Sequence, residues 1–306
     1  MKLGRAPSIY PILEGKIDAS QLYVSELQRQ LQDIEGETAE AITERFSKLS
    51  FTEFNKAVGL PVHPRTYEPH ELTPYQLEFF EAIDSASLHK FHLNKGRQMG
   101  FSELMLRIVA YRAFNKYAGK QVKIIAGTRS AATKKLMQRL KELFKAYPKL
   151  VDKQESQHDL KLQLANGTSY EGLPANPEAA TGDTKIVAFI MDEAAKWDLI
   201  DDRPVLNSVM PIVKTNRSDL FLLSTPKGPR GFHYEIEQEH DEQEWQFFKY
   251  NIWATEGNLY TREEILAMLA DKTVDVAQEY LNQYTTGRGS IFGSEFPEGA
   301  HEVEAW

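Results

Sequence analysis

Hydrophobic spacing changes character near residue 70. In "DASQLYVSELQRQLQDIEG" and "ETAEAITERFSKL" apolar residues recur at helical spacing, and both segments end in polar or glycine punctuation, which predicts helices. "VGLPVHPRTYEPHELTP" carries four prolines and predicts an extended connector. From Thr73 the pattern alternates. "PYQLEFFEAI" predicts a helix, "HKFHLN" a short strand, and "FSELMLRIVAYRAFNKYAG" a helix closed by Gly119. "QVKIIAG" is a buried strand, and "SAATKKLMQRLKELFKAY" a helix stopped by Pro148. "HDLKLQLANGTSYEGL" predicts a hairpin with a two-residue turn at Asn166-Gly167. "KIVAFIMDE" and "DLFLLSTP" are continuous apolar runs, and "EWQFFKYNI" is a later strand. Two helical segments follow, "TREEILAMLA" and "VDVAQEYLNQY".

Strands alternating with helices, several of them apolar throughout, indicate an α/β fold with a largely parallel sheet flanked by helices. The boundaries that follow are a helical N-terminal appendage over 1–70, an α/β domain over 71–290 and a Gly- and acid-rich tail over 291–306.

Composition narrows the field. With 306 residues, 42% hydrophobic and 26% charged, the chain has enough material for a sizeable core. It has no cysteine, which excludes disulfides, thiolate metal sites and a cysteine nucleophile. No apolar run approaches the roughly 18 residues of a membrane span, so no membrane partner is expected. The net charge of −8 means that any contact with nucleic acid rests on a local patch. The one basic stripe runs from Arg112 to Lys149, where only Glu142 opposes the cations. It is either a phosphate track or a solvated helix face. "YEIEQEHDEQEW" is an acidic run that predicts a solvated helix or a partner for a neighbouring subunit's basic face.

Four segments carry candidate chemistry. "NKGRQMGFSE" has the strand, glycine turn and helix order of a phosphate-binding loop, in which free backbone N–H groups and the helix dipole converge on an anion. Phe101 stands where the usual lysine would be, and Gly100 and Ser102 stand where they should. The missing cation can come from Lys95 at the other end of the loop, with Arg97 as a second. Ser102 can place its hydroxyl on Mg²⁺. "IVAFIMDEAA" runs a buried strand into Asp192 and Glu193, a Walker B pattern: the first acid for Mg²⁺, the second to orient and deprotonate a water. "FLLSTPKG" ends a strand at Ser224-Thr225, a hydroxyl pair able to sense a γ-phosphate. In "LTPYQ", Gln76 can pair with an adenine edge and Tyr75 can stack on it. Each segment has a bland reading as ordinary turn, cap or surface. All four occur in the order an ATP-driven motor needs.

Through these residues the sequence resembles the large subunit of tailed-virus terminases, over about Leu72 to Phe292. Several terminases carry the loop lysine at its start and an aromatic before the serine. "KGRQMGFSE" is similar to that version, "GTSYEGLPANPEAATGDT" to the segment before Walker B, and "LLSTPKG" to the coupling motif. The resemblance implies a P-loop NTPase that uses ATP and Mg²⁺ to move double-stranded DNA into a capsid. The implied nucleotide-binding residues are Tyr75, Gln76, Lys95, Gly96, Arg97, Gln98, Met99, Gly100, Phe101, Ser102 and Glu103. Glu193 and Arg97 would be catalytic, Ser102 and Asp192 would hold the metal, and Ser224 and Thr225 would couple hydrolysis to movement. Implied partners are DNA, the portal protein, the small terminase subunit and further copies of the chain in a ring. The implied location is the host cytoplasm, transiently at the procapsid portal. A neighbour's arginine can complete such a site, and Arg129, Arg203, Arg217 and Arg230 are the candidates. The family's nuclease domain has no counterpart before Trp306, so residues 291–306 read as the start of a linker and nuclease activity is not expected. The rival readings are a helicase-type DNA translocase and a nucleotide-binding scaffold that does not hydrolyse.

Overall fold

The computed structural model describes residues 36–127, 130–177, 185–197, 202–239 and 244–285. Most of the first predicted helix and the tail over 291–306 lie outside them. In chain order the helices are α1 (Ala39–Ser47), α2 (Phe51–Ala57), α3 (Pro74–Ser85), α4 (Phe101–Arg112), α5 (Ser130–Leu143), α6 (Arg203–Asn216), α7 (Gly231–Gln238), α8 (Arg262–Leu269) and the single turn α9 (Val276–Glu279). The strands are β1 (Lys90–Lys95), β2 (Gln121–Ala126), β3 (Lys161–Gln163), β4 (Ser169–Leu173), β5 (Ile186–Asp192), β6 (Asp219–Ser224) and β7 (Gln246–Tyr250). They form one sheet in the order β3-β4-β2-β5-β6-β1-β7, parallel throughout except for the β3–β4 pair. This is the mixed α/β architecture expected from the alternating pattern. Among the described residues no helix is long and apolar enough to cross a membrane.

Period-2 geometry explains why the central strands are apolar on both faces. Ala188, Ile190, Phe221 and Leu223 point into a core with α1–α5, while Phe189, Met191, Leu220 and Leu222 point into a second core with α6 and α7. The first core also holds Ile42 and Phe46 of α1 and Phe51 and Phe54 of α2. Residues 39–57 thus share the core of the α/β body. Ser50 and Glu53 start α2 with a reciprocal capping box.

Three local expectations change in the fold. The hairpin turn has three residues: Leu164 N–H donates to Thr168 C=O at 2.8 Å, Gly167 N–H to Leu164 C=O at 2.9 Å, and Gly167 takes φ +83°. That is a type I turn closed by a left-handed glycine. Helix α4 ends at Arg112, because tighter bonds such as Phe114 N–H to Tyr111 C=O wind the chain into turns and bring Tyr117 over Asp219. The last predicted helix is only α9, because Asn282 adopts φ +58° and donates its side-chain amide to Asn94 C=O at 3.2 Å.

The basic stripe is not a free track. Arg112 and Lys123 are buried. Arg112 binds Asp219 at 3.1 Å and Asp84 at 3.0 Å, and Lys123 pairs with Glu171. Lys116, Lys134 and Arg139 pair with Asp219, Asp159 and Glu103. Arg129 lies outside the described residues. Tyr117, His89 and Lys116 also reach Asp219, whose own burial works against ionisation. Arg112 and Lys116 overcome it and hold the carboxyl below its usual range. Replacing Arg112 by Met leaves that buried carboxylate with the buried Tyr117 hydroxyl and the more exposed His89 and Lys116, and with no buried cation. Urea unfolding is expected to show a loss of about 3 kcal/mol, the low end for breaking a buried pair. A loss under about 0.5 kcal/mol would mean the pair contributes little.

Candidate functional site

Register brings the four candidate segments to one edge of the sheet. Asn94 of β1 lies opposite Ser224 of β6, and Leu223 of β6 opposite Asp192 of β5. The loop after β1, the acids after β5 and the hydroxyls after β6 therefore emerge level at the carboxyl ends of parallel strands, where open α/β sheets bind ligands. β6 sits between the strand of the loop and the strand of the acids.

Glycine is required in the loop. Gly100 caps α4 at φ +76°, and a Cβ there would lie 2.7 Å from Gln76 Nε2. Within the candidate segments two non-glycine residues also take left-handed backbone, Gln98 at φ +60° in the loop and Glu193 at φ +52° after β5. Such strain costs about 1 kcal/mol or more per residue and concentrates where geometry matters more than stability. Phe101 is buried against Tyr75, Phe79 and Tyr250 and anchors the start of α4.

Four of the predicted side chains converge. Lys95 Nζ lies 2.6 Å from Glu193 Oε1, and Ser102 Oγ donates to Asp192 Oδ1 at 3.0 Å. Lys95 is buried, so its ammonium reaches the acids from the strand side. Burial pushes the Asp192 carboxyl up to about 6 against the pull of Lys95. Burial works the same way on Glu193, but Lys95, by charge and hydrogen bond, and then Lys196 bring that carboxyl below its ordinary value. Glu193 Oε2 and Thr225 Oγ1 are buried without a hydrogen-bond partner. Ser224 Oγ donates to Thr225 C=O at 2.7 Å and accepts from Ala195 N–H at 3.2 Å, tying the end of β6 to the turn after Glu193. The donor set of Ser102 and Asp192, a hydroxyl and a carboxylate side by side, suits a hard divalent cation.

Arg97 does not join this cluster. Its guanidinium is held by Glu279 at 3.1 Å, and its backbone N–H donates to Glu279 C=O at 2.7 Å. Gln76 is buried at the base of the loop, where its Oε1 accepts from Thr73 N–H at 3.0 Å and its Nε2 donates to Met99 C=O at 3.3 Å. Each amide atom keeps a second hydrogen-bonding position. Gln76 and Gly100 line a cleft of about 640 Å³ closed by Leu60, Val62, Leu72 and Tyr260. Glu103 and Gln98 also line it. Tyr75 does not: it is buried with its hydroxyl on Met99 C=O at 2.7 Å. The cleft's aromatic side chains are Tyr260 and His70, in segments where no motif was visible. Gly96 and Met99 are buried within the loop.

Two further contacts escaped the sequence reading. Lys196, three residues after Glu193, binds Glu279 through both carboxylate oxygens at 2.9 Å. Glu237, in the acidic run, is no solvated residue: its carboxylate accepts from Asn94 at 2.8 Å and Tyr284 at 2.8 Å and pairs with Lys249 at 3.1 Å. Among the arginine candidates, Arg203 pairs with Glu235, Arg217 closes α6, and Arg230 is exposed ahead of α7.

Comparison with known proteins bears out the resemblance over part of the chain. Residues 65–198 match the family model described as phage terminase large subunit gpA, ATPase domain. Solved structures share the fold. The large terminase ATPase domain of Thermus phage P74-26, in a point-mutant form, is 20% identical with a TM-score of 0.51, covering 72% of this chain and 95% of that one. The HK97 bacteriophage large terminase is 15% identical with a TM-score of 0.60, covering 76% and 54%. The large terminase of a thermophilic bacteriophage, in complex with ADP, is 15% identical with a TM-score of 0.56, covering 70% and 54%. The chain thus spans about half the length of the last two proteins. No curated protein sequence is similar to it.

Proposed function

We propose, on the premise that residues 65–198 form a phage terminase large-subunit ATPase domain, that this chain is an ATP-hydrolysing motor for packaging double-stranded DNA. The observation that carries the reading is the convergence of Lys95, Ser102, Asp192 and Glu193 at one sheet edge. The thermophilic phage terminase in complex with ADP supports nucleotide as the ligand class. Ser102 and Asp192 would hold Mg²⁺, which supplies charge neutralisation across the phosphates. The loop backbone from Gly96 to Glu103 cradles them, and the base enters the cleft beside Gln76.

The chemistry of the chain's own residues follows from the Lys95–Glu193 pair. Lys95, 2.6 Å from Glu193 Oε1, neutralises the general base. A triphosphate draws the ammonium away, because two or more phosphate oxygens outcompete one carboxylate oxygen for it. Glu193 is then free to orient a water and accept its proton. Ala195 N–H, two residues after Glu193, donates to Ser224 Oγ at 3.2 Å, so a change at Glu193 is felt at the end of β6 and in the loop leading to α7. Ser224 and Thr225 are in this way positioned to report hydrolysis to the moving parts. DNA, the portal protein, the small subunit and neighbouring copies in a ring are the partners of this reading, in the host cytoplasm and at the portal.

Phosphate release from ATP by the purified chain tests it directly. Turnover is expected with Mg²⁺, rising with double-stranded DNA and portal protein and vanishing in EDTA. ATP binding without phosphate release under all of these conditions would favour the scaffold reading, and strand separation without packaging the helicase reading.

A further inference from the structure

Lys196 and Glu279 belong to none of the four motifs, yet they lie against the loop. Glu279 holds Lys196 Nζ at 2.9 Å from each carboxylate oxygen and Arg97 Nη1 at 3.1 Å from one of them. Its chain segment is packed tightly on the loop. A Cβ on Gly96 would lie 3.2 Å from Tyr280 C=O and 3.3 Å from Ile252 N, and Ile252 N–H donates to that same Tyr280 C=O at 2.9 Å. Lys196 also lies close enough to Glu193 to help lower its carboxyl, so the cluster adjoins the catalytic acid. The carboxylate of Glu279 is largely buried, while Arg97 is exposed.

Charge bookkeeping gives this arrangement a direction. Lys95, Arg97 and Lys196 face Asp192, Glu193 and Glu279, so the charges of these six groups balance. A polyphosphate brings further negative charge beside Glu279 and needs the cations that Glu279 holds. A carboxylate gripped by an ammonium and a guanidinium at these distances occupies the donor set a phosphate oxygen pair would use.

We propose that Lys196 is a further phosphate-binding residue of this site, and that Glu279 holds it, together with Arg97, in place of a phosphate until a nucleotide displaces the carboxylate. The proposal rests on the nucleotide-site reading above. It makes Glu279 an internal competitor of the substrate. It also ties phosphate binding to the segment Glu279–Asn282, which is bonded to β1 and to the start of the Ile252–Thr255 turn.

Calorimetric titration with inorganic tripolyphosphate and Mg²⁺ tests the proposal without requiring hydrolysis. Glu279→Gln keeps the side chain's size and the backbone bond to Arg97 but removes the charge. It is expected to tighten tripolyphosphate binding roughly five- to tenfold, with the gain shrinking as salt is raised. Lys196→Gln is expected to weaken binding by a similar factor, and to abolish most of the gain when combined with Glu279→Gln. Unchanged or weaker binding by Glu279→Gln at an unchanged Tm overturns the proposal. If that variant does not fold, Lys196→Gln decides alone: unchanged affinity overturns it, and weakened affinity supports it. Failure of the function reading looks different, because tripolyphosphate binding would respond as described while ATP stayed unhydrolysed.

Discussion

Replacing Glu193 by Gln is expected to lower kcat for ATP hydrolysis by about a thousandfold while leaving nucleotide binding intact or tighter. The size follows from the loss of a general base, worth about 10²–10⁴ in rate, or roughly 4 kcal/mol of barrier at the midpoint. The split between kcat and binding follows from the geometry. Glu193 holds Lys95 at 2.6 Å, so removing its charge releases a phosphate-binding ammonium. The amide cannot accept the water's proton. Single-turnover phosphate release separates this outcome from a folding defect, since a misfolded variant would lose binding too. A variant within tenfold of the wild-type kcat would remove Glu193 from the role of base.

The second large effect is at Lys95. Lys95→Ala is expected to lower kcat/KM by about a thousandfold, the magnitude of losing a charged group that stabilises a transferring phosphoryl group. Arg97→Ala is expected to cost less than about tenfold, because Arg97 is exposed and solvent screens its charge, whereas Lys95 is buried. Lys95→Ala also strips Glu193 Oε1 of its ammonium, beside an Oε2 that already lacks a partner, so its stability must be measured alongside. Running the double variant Lys95→Ala/Glu193→Gln resolves the two effects. Stability should recover relative to Lys95→Ala, and activity should not. If Arg97→Ala proves the more damaging change, the loop's cation is Arg97 and the relocated-lysine account fails.

The parts of this fold and site that the sequence made legible are those fixed by neighbouring residues. The acids after "IVAFIM", the hydroxyls after "FLLS" and the Gly100–Ser102 turn each depend on one strand end. Parallel register then brings them level, and the alternating pattern already implied parallel strands. The hairpin was visible through Asn166-Gly167, although the bond from Leu164 to Thr168 lengthened its turn by one residue. What stayed hidden depends on partners far away in the chain. A lysine or arginine shows its charge in sequence but not its counterion. Arg112 and Lys123 therefore looked like members of a surface stripe, whereas Asp219 and Glu171 draw them inside. Glu237 looked solvated for the same reason, until Asn94, Tyr284 and Lys249 were seen around it. Lys196 and Glu279 could not be joined by any local rule. The last helix broke early because the Asn282 side chain has a carbonyl of β1 to reach, a contact that exists only once the chain has folded.

The relocation of the loop's cation to Lys95 is the central claim, and a structure of the chain with Mg²⁺ and ATPγS tests it most directly. The Lys95 ammonium is expected within about 3 Å of a β- or γ-phosphate oxygen, the range of a charge-assisted hydrogen bond, and no longer on Glu193. A nucleotide bound with Lys95 still 2.6 Å from Glu193, and with Arg97 alone on the γ-phosphate, would contradict it.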